Sequence, residues 1–347
     1  MDKSLILAVA GSGKTTLLID KLNLEERFLL ITYTINNTRN LKDSIVKKFG
    51  YLPENINLFS YYNFLYSFCF RPFLGYKLKP KGIFWDFTPV FTNRLPLNNI
   101  SRYMTKGKLL YHNRIAKLLE QENVLNEINE RLSKYYDHIL IDEIQDFAGH
   151  DFNLLKSLCE SETKIILVGD FYQHTFDTSR DGNTNANLHS DYYKYQKIFE
   201  KAMIIPNTEC LNKSYRCTKS VCNFITEQIG IDIHSHKLTD SSVIYVDDEK
   251  EIENLFNDNT IIKLFYRENY KYNCYSRNWG DCKGENHYND VCVVLNKTTL
   301  THYSKGKLSE LKPIIKNKLY VACSRANNNL YLISEEKIKH YKTKEMG

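Results

Sequence analysis

Ala10-Gly11-Ser12-Gly13-Lys14-Thr15 is preceded by an apolar run, Leu5 to Val9, and followed by a helical one from Thr16 to about Leu24. Strand, glycine loop and helix in that order make a phosphate cradle. Backbone N–H groups face the phosphates, Lys14 reaches the terminal ones, and the Thr15 hydroxyl holds magnesium. Ala8 stands at the first position of the eight-residue pattern, where glycine is usual. A second set of reactive groups, Asp142-Glu143, ends the apolar run His138 to Ile141. A nucleotide's magnesium needs a carboxylate and an attacking water needs a positioned base, which assigns Asp142 to the ion and Glu143 to the water. Two acids after a strand say little alone. Beside a glycine loop they say more, because the strand tips of one parallel sheet face one crevice.

The elements that must position these groups alternate. Strands are expected at Leu5 to Val9, Phe28 to Thr34, Ile56 to Phe59, His138 to Ile141 and Lys164 to Val168, with a helix from about Thr38 to Phe49 between the second and third. That rhythm implies a parallel sheet. Further on come a helix around Tyr192 to Lys201, an amphipathic one ending at Ile229, and strands at Val243 to Val246, Ile261 to Phe265, Val291 to Leu295 and Leu330 to Ile333, with a helix around Ile314 to Ser324. A chain of 347 residues with 42% hydrophobic and 25% charged positions is long enough for two domains and unlike disordered or fibrous chains.

Six segments in order then resemble the boxes of superfamily 1 helicases of the UvrD, Rep and PcrA type. Asp142-Glu-Ile-Gln-Asp146 is similar to their DExQD box. Thr32-Tyr-Thr-Ile-Asn-Asn-Thr38 resembles TFTN, Ser60-Tyr-Tyr-Asn-Phe64 the T-x-H-S-F segment, and Val168-Gly-Asp-Phe-Tyr-Gln173 the VGDxxQ box. Leu211-Asn-Lys-Ser-Tyr-Arg216 resembles LxxNYR, and Tyr320-Val-Ala-Cys-Ser-Arg-Ala326 YVAxTRA. The resemblance implies an α/β fold of two RecA-like P-loop NTPase lobes, with ATP and Mg2+ in the cleft between them and single-stranded DNA across both. It implies that Gln173 senses the γ-phosphate, that Arg216 and Arg325 act as arginine fingers, and that Tyr215 stacks on the base. Thr32, Tyr33, Asn36 and Ser60 would line the strand-binding groove, and polarity would run 3′ to 5′. The expected boundaries are 1–61 and 136–208 for the first lobe, 62–135 for an insertion and 209–347 for the second lobe.

The sequence also departs from the family. Gly280-Asp-Cys-Lys283-Gly-Glu285-Asn-His287 looks like the KGLEF segment, but Glu285, the expected ribose ligand, falls one position early. Four residues precede the first strand, which leaves no room for the adenine-reading glutamine segment, and Thr16 stands where UvrD places an arginine against the base. Weaker base discrimination follows. The 66 residues between Arg216 and Lys283 are too few for the large second-lobe insertion.

The first-lobe insertion survives in short form. Between Tyr62 and Leu118 lie ten basic residues against one acid, Asp86, with thirteen aromatics including Trp85. This composition suits a single nucleic-acid strand, whose phosphates Lys77, Lys79 and Lys81 would neutralise while bases lie on rings, and it equally suits a solvated basic face over an aromatic core. Nine cysteines without a metal-like CxxC pair indicate free thiols and a reducing, cytoplasmic setting. No run is long enough to span a membrane. The expected function is an ATP-dependent single-stranded DNA translocase or helicase, RNA being left open. The alternative is a nucleic-acid-responsive ATPase subunit of a larger complex, such as one with a nuclease in phage defence or repair.

Overall fold

The computed structural model describes residues 3–175 and 181–343. Its contacts divide the chain into two units, Met1–Ile6, Thr15–Gly169 and Asp177–Asn207 in the first, and Leu7–Lys14, Asp170–Phe176 and Thr208–Gly347 in the second. Relative to the boundaries expected from the sequence, the glycine loop and the segment after Gly169 move to the second unit. The cause is local bonding: the Val9 N–H donates to the Leu211 carbonyl at 3.0 Å and the Ala10 N–H to the Tyr320 hydroxyl at 2.8 Å.

The strands of the first unit are β1 (Lys3–Leu7, its last residue grouping with the second unit), β2 (Phe28–Thr32), β3 (Ile56–Ser60), β4 (Gly82–Phe84), β5 (Leu109–Tyr111), β6 (His138–Ile141), β7 (Lys164–Gly169) and β8 (Pro206–Asn207). Six of them form one sheet in the order β3-β2-β6-β7-β1-β8, and the crossovers this order requires are filled by helices. Phe28 through Ile31 and Ile139 through Ile141 are buried throughout, as strands covered on both faces must be. The register sets Thr32 beside Ser60 and Phe28 beside His138. After β2 the chain enters the helix Ile35–Phe49, three residues earlier than the pattern predicts, because the Thr34 hydroxyl caps it by accepting from the Asn37 N–H.

The insertion is more regular than its prolines suggest. Tyr61–Asn63, a π turn at Phe64–Phe70 and Arg71–Leu78 run on as one helical stretch. Pro72 falls where the wide π turn passes into Arg71–Leu78, and the stretch continues past it. β4 and β5 then pair in parallel, and the helices Ile115–Gln121 and Leu125–Tyr135 follow. The later part of the insertion thus holds a strand and two helices.

The second unit holds β9 (Lys213–Ser214), β10 (His234–Ser235), β11 (Val243–Tyr245), β12 (Ile262–Phe265), β13 (Ser276–Asn278), β14 (Val291–Leu295) and β15 (Leu330–Ser334). Its main sheet, β11-β15-β14-β12-β13, is parallel throughout. Val291, Val293, Leu330 and Leu332 pack with Val321, Ala322 and Cys323 of the helix Pro313–Cys323 and with Trp279 in one core. The α/β character read from the sequence is thus present in both units.

Candidate nucleotide and nucleic-acid sites

In the second unit the glycine loop is clamped onto the segment that carries Tyr215 and Arg216. The Tyr215 N–H donates to the Gly11 carbonyl at 2.9 Å, and the Ser12 hydroxyl ties the loop to itself through the Val9 carbonyl at 2.8 Å. Gly11 has φ 69°, and a Cβ there would sit 2.7 Å from the Arg216 Cβ and 2.9 Å from the Ser214 Oγ, so no side chain fits. The bare side of Gly11 thus lets the loop backbone pack directly against the segment that carries Tyr215 and Arg216. Lys14 is half-buried beside it.

Asp170 joins the other boxes to this loop. The Tyr320 hydroxyl accepts from Ala10 and donates to the Asp170 Oδ2 at 3.0 Å. The same carboxylate accepts from the Gln173 Nε2 at 2.8 Å and, through Oδ1, from the Tyr172 N–H at 3.1 Å. The chain of bonds therefore runs from Gln173 through Asp170 and Tyr320 to the loop backbone. Asp170 and Tyr320 lie inside two of the boxes, and the resemblance assigns neither a role. The signal was there in Tyr320, a hydroxyl at an otherwise apolar helix position.

The two arginines differ. Arg216 donates to the Ser324 carbonyl at 3.2 Å and to the Asn286 side chain. Burial, and then the neighbouring charge of Arg325, lowers its pKa to about 10. A guanidinium desolvated next to another cation is poised to gain from an arriving anion. Arg325 is buried, its Nε bonded to the Val321 carbonyl at 3.1 Å and its NH1 to the Glu285 carbonyl at 3.0 Å. The Glu285 carboxylate accepts from the Tyr288 hydroxyl and lies 3.7 Å from the Arg277 Nε. Tyr215 is 62% exposed, and its ring is stacked on His236 with centroids 4.0 Å apart and planes 11° from parallel. A groove of about 310 Å³ opens at this pair, with Ser12, Asn212 and Lys213 on its walls. His236 has no signal in the sequence boxes, since it reaches Tyr215 through the pairing of β9 with β10.

In the first unit Asp142 and Glu143 end β6 and both are buried. The Asp142 Oδ1 accepts from the Glu143 N–H at 2.9 Å. Glu143 has φ 56° and ψ 44°, left-handed backbone that a glutamate seldom adopts and that functional sites tend to keep. Its carboxylate accepts from the Gln145 side chain and, at 3.5 Å, from the Asn37 Nδ2. Gly169 permits this arrangement, because a Cβ there would lie 2.5 Å from the Gln145 Oε1 and 2.6 Å from Ile144. Thr15 lies in the first turn of Lys14–Asp20, partly buried, and Thr16 is exposed.

Of the residues expected along a strand, Thr32 is fully buried and paired in register with half-buried Ser60; Tyr33 is 9% exposed and stacked on Tyr61, while Asn36 is exposed. Lys77, Lys79 and Lys81 are exposed, Lys77 bridged to Glu122. Two other cations of the insertion are occupied: Arg114 and Lys117 bind the Asp181 carboxylate at 3.0 and 2.6 Å, with Arg114 fully buried. Among the described residues all nine cysteines are free thiols, no three His, Cys, Asp or Glu side chains gather as metal ligands, and no helix is long and apolar enough to cross a membrane.

Residues 92–193 match the UvrD/REP helicase N-terminal domain. That segment is UvrD-like. It contains both the Asp142-Glu143 box and the Gln173 box, so the resemblance to superfamily 1 helicases read from the sequence is found again there. The chain as a whole is also similar to solved viral helicases. Arterivirus nonstructural protein 10 (helicase) in complex with DNA is 12% identical with a TM-score of 0.49, and the same protein in another crystal structure is 14% identical with a TM-score of 0.49. The PRRSV helicase is 13% identical with a TM-score of 0.46. Each comparison covers 98% of this chain but only 63%, 62% and 54% of the respective helicase. No curated protein matches the chain.

Proposed function

We propose that the chain is an ATP-driven motor that moves along single-stranded nucleic acid, of the superfamily 1 helicase kind, with DNA as the reference strand. The observation that carries this reading is the clamp in the second unit, where a side-chain-free loop at Gly11 abuts Arg216 and Tyr215 and is wired through Tyr320 and Asp170 to Gln173. These residues fit a nucleoside triphosphate. Backbone N–H groups of the loop and Lys14 would hold its phosphates, and Tyr215 its base. Thr15 and Asp142 would hold Mg2+, which when bound neutralises charge on the phosphate oxygens.

Glu143 takes the proton of the attacking water, and the bonds from Gln145 and Asn37 aim its carboxylate. Arg216 sits beside the loop without a carboxylate partner among its hydrogen bonds and supplies charge where the γ-phosphoryl group leaves. Arg325 acts as the second finger once it exchanges the Val321 and Glu285 carbonyls for the phosphate. Gln173 shares Asp170 with Tyr320, and this is the route by which phosphate occupancy reaches the rest of the unit. The test is the ATPase rate with and without single-stranded DNA, followed by strand displacement on tailed duplexes. Stimulation by the strand supports the motor, and displacement makes it a helicase. Stimulation without displacement favours an ATPase subunit working with a partner such as a nuclease, and no stimulation by DNA or RNA ends the reading.

A further inference from the structure

We infer that Trp85 is a base-stacking platform for a single-stranded polynucleotide, set at the end of a ladder of rings that starts at Tyr33. This rests on the motor reading above and names a contact that no helicase box contains. Trp85 is 59% exposed, which for the largest side chain invites a reason. It is not loose. Its ring lies over the His112 imidazole at 5.9 Å and 22°, and meets the Tyr62 ring edge-on at 4.8 Å.

The support behind it is itself fixed. The His112 Nδ1 is 3.1 Å from the Phe84 carbonyl, and the Thr88 hydroxyl donates to the Asn113 Oδ1 at 2.7 Å, which ties the chain after Trp85 to the chain after His112. Tyr62 in turn packs edge-on against Tyr33 at 6.0 Å, and the Tyr33 hydroxyl donates to the Tyr62 hydroxyl at 3.3 Å. The rings therefore lead from the tip of β2 out to the insertion, with Trp85, more than half exposed, at the far end. A ring held rigid before binding loses little entropy when a base covers it.

Charge selects the occupant. β4 and β5 are parallel, so Trp85 and His112 leave the ladder at one end while Lys81 and Lys108 enter at the other, with the Lys81 N–H bonded to the Lys108 carbonyl at 2.8 Å. Both lysines are exposed, as are Lys79 and Lys106, and Asp86 is the acid beside the ring. At about 3.3 Å per residue the lysines stand about 13 Å from Trp85 along the ladder, a span over which a strand can lay a base on the ring and phosphates on the ammonium groups. Phe87, 98% exposed, widens the apolar surface on the same loop.

The chain has two tryptophans, and the other, Trp279, is buried with its Nε1 bonded to the Leu264 carbonyl, so emission that responds to a surface ligand comes from Trp85. Titration of the full chain with an oligo-dT and, separately, an oligo-rU should quench that emission, and comparison of the two tells which sugar the site takes. Trp85→Ala should weaken strand affinity about 5- to 150-fold, and Trp85→Phe, which keeps a ring, less than about fivefold. Melting temperatures and retained Trp279 emission check that both variants fold. If the wild type binds the strand but Trp85 emission does not move and Trp85→Ala binds equally well, the platform is wrong and the patch is a protein-docking face. If the wild type binds neither oligonucleotide, the motor reading itself falls, and the platform with it.

Discussion

Tyr215 in the second unit and Trp85 in the first occupy equivalent points of two small parallel ladders. Each ring directly follows the first strand of its pair, β9 or β4, and each rests on the histidine that directly follows the second, His236 after β10 and His112 after β5. Parallel pairing makes this coincidence structural, because equal registers carry the next residues of both strands out on the same side. The surroundings differ. A Cβ at Gly13 would lie 3.8 Å from the Tyr215 ring, so that ring borders the glycine loop, whereas Trp85 packs with Tyr62 and has lysines down its ladder. On the reading proposed above, the same mount would serve one base of a nucleotide in one unit and one base of a strand in the other, with the neighbouring groups deciding which.

The strongest way to break that division is to stop the chemistry and see whether the strand notices. Arg216→Ala should slow hydrolysis by roughly 10³, with a smaller loss of ATP affinity than Lys14→Ala causes, because its gain is greatest as phosphoryl charge develops. Glu143→Gln should slow turnover at least about a hundredfold while ATP still binds. In both variants the quench of Trp85 by oligo-dT without nucleotide should keep its midpoint. A matching loss of strand affinity would mean the two rings read one ligand.

The next test removes the nucleotide-side ring. Tyr215→Ala should weaken nucleotide affinity by about 1 to 3 kcal/mol, or roughly 5- to 150-fold, and spare strand affinity. A ring that only stacks is a poor judge of bases. GTP should therefore support hydrolysis within about tenfold of ATP, since discrimination without hydrogen bonds to the base edge is worth only about 1 to 3 kcal/mol. A thousandfold preference measured in steady-state turnover would reveal a donor or acceptor that reads the purine.

What the sequence made legible was local. The strand at His138–Ile141 and the helix at Tyr192–Lys201 appear with the bounds the apolar pattern predicts, and the loop at Gly11 has the backbone its glycines imply. Charge in the insertion was the least legible feature, because a window of sequence counts cations without their distant partners. Arg114 and Lys117 are neutralised by Asp181, 67 and 64 residues away, and Lys77 by Glu122, just past the window. The Asp181 carboxyl shows the balance: burial pushes its pKa up, yet the two cations outweigh burial and hold it below the ordinary carboxylate value. The histidine mounts were illegible for a similar reason, since His236 lies 21 positions beyond Tyr215 and His112 lies 27 beyond Trp85, and only pairing of short strands joins them.

The finest test concerns these histidines. If His236 contributes only by holding the Tyr215 ring, His236→Ala should weaken nucleotide affinity by about 0.5 to 1.5 kcal/mol, roughly 2- to 12-fold, the worth of an aromatic pair. His236→Phe should restore most of it, because a phenyl ring offers the same face without a titratable nitrogen. The double variant with Tyr215→Ala should then be no worse than Tyr215→Ala alone, since a support without its ring has nothing to support. Additive losses would instead place His236 against the nucleotide itself. The same cycle on His112 and Trp85, read as oligo-dT affinity, should give the same pattern at the other ladder. The tighter stack, at 4.0 Å and 11° against 5.9 Å and 22°, predicts the larger histidine effect for His236. A larger effect at His112 would show that ring contact is not what the two mounts have in common, and would turn attention to the hydrogen bond between His112 and the Phe84 carbonyl.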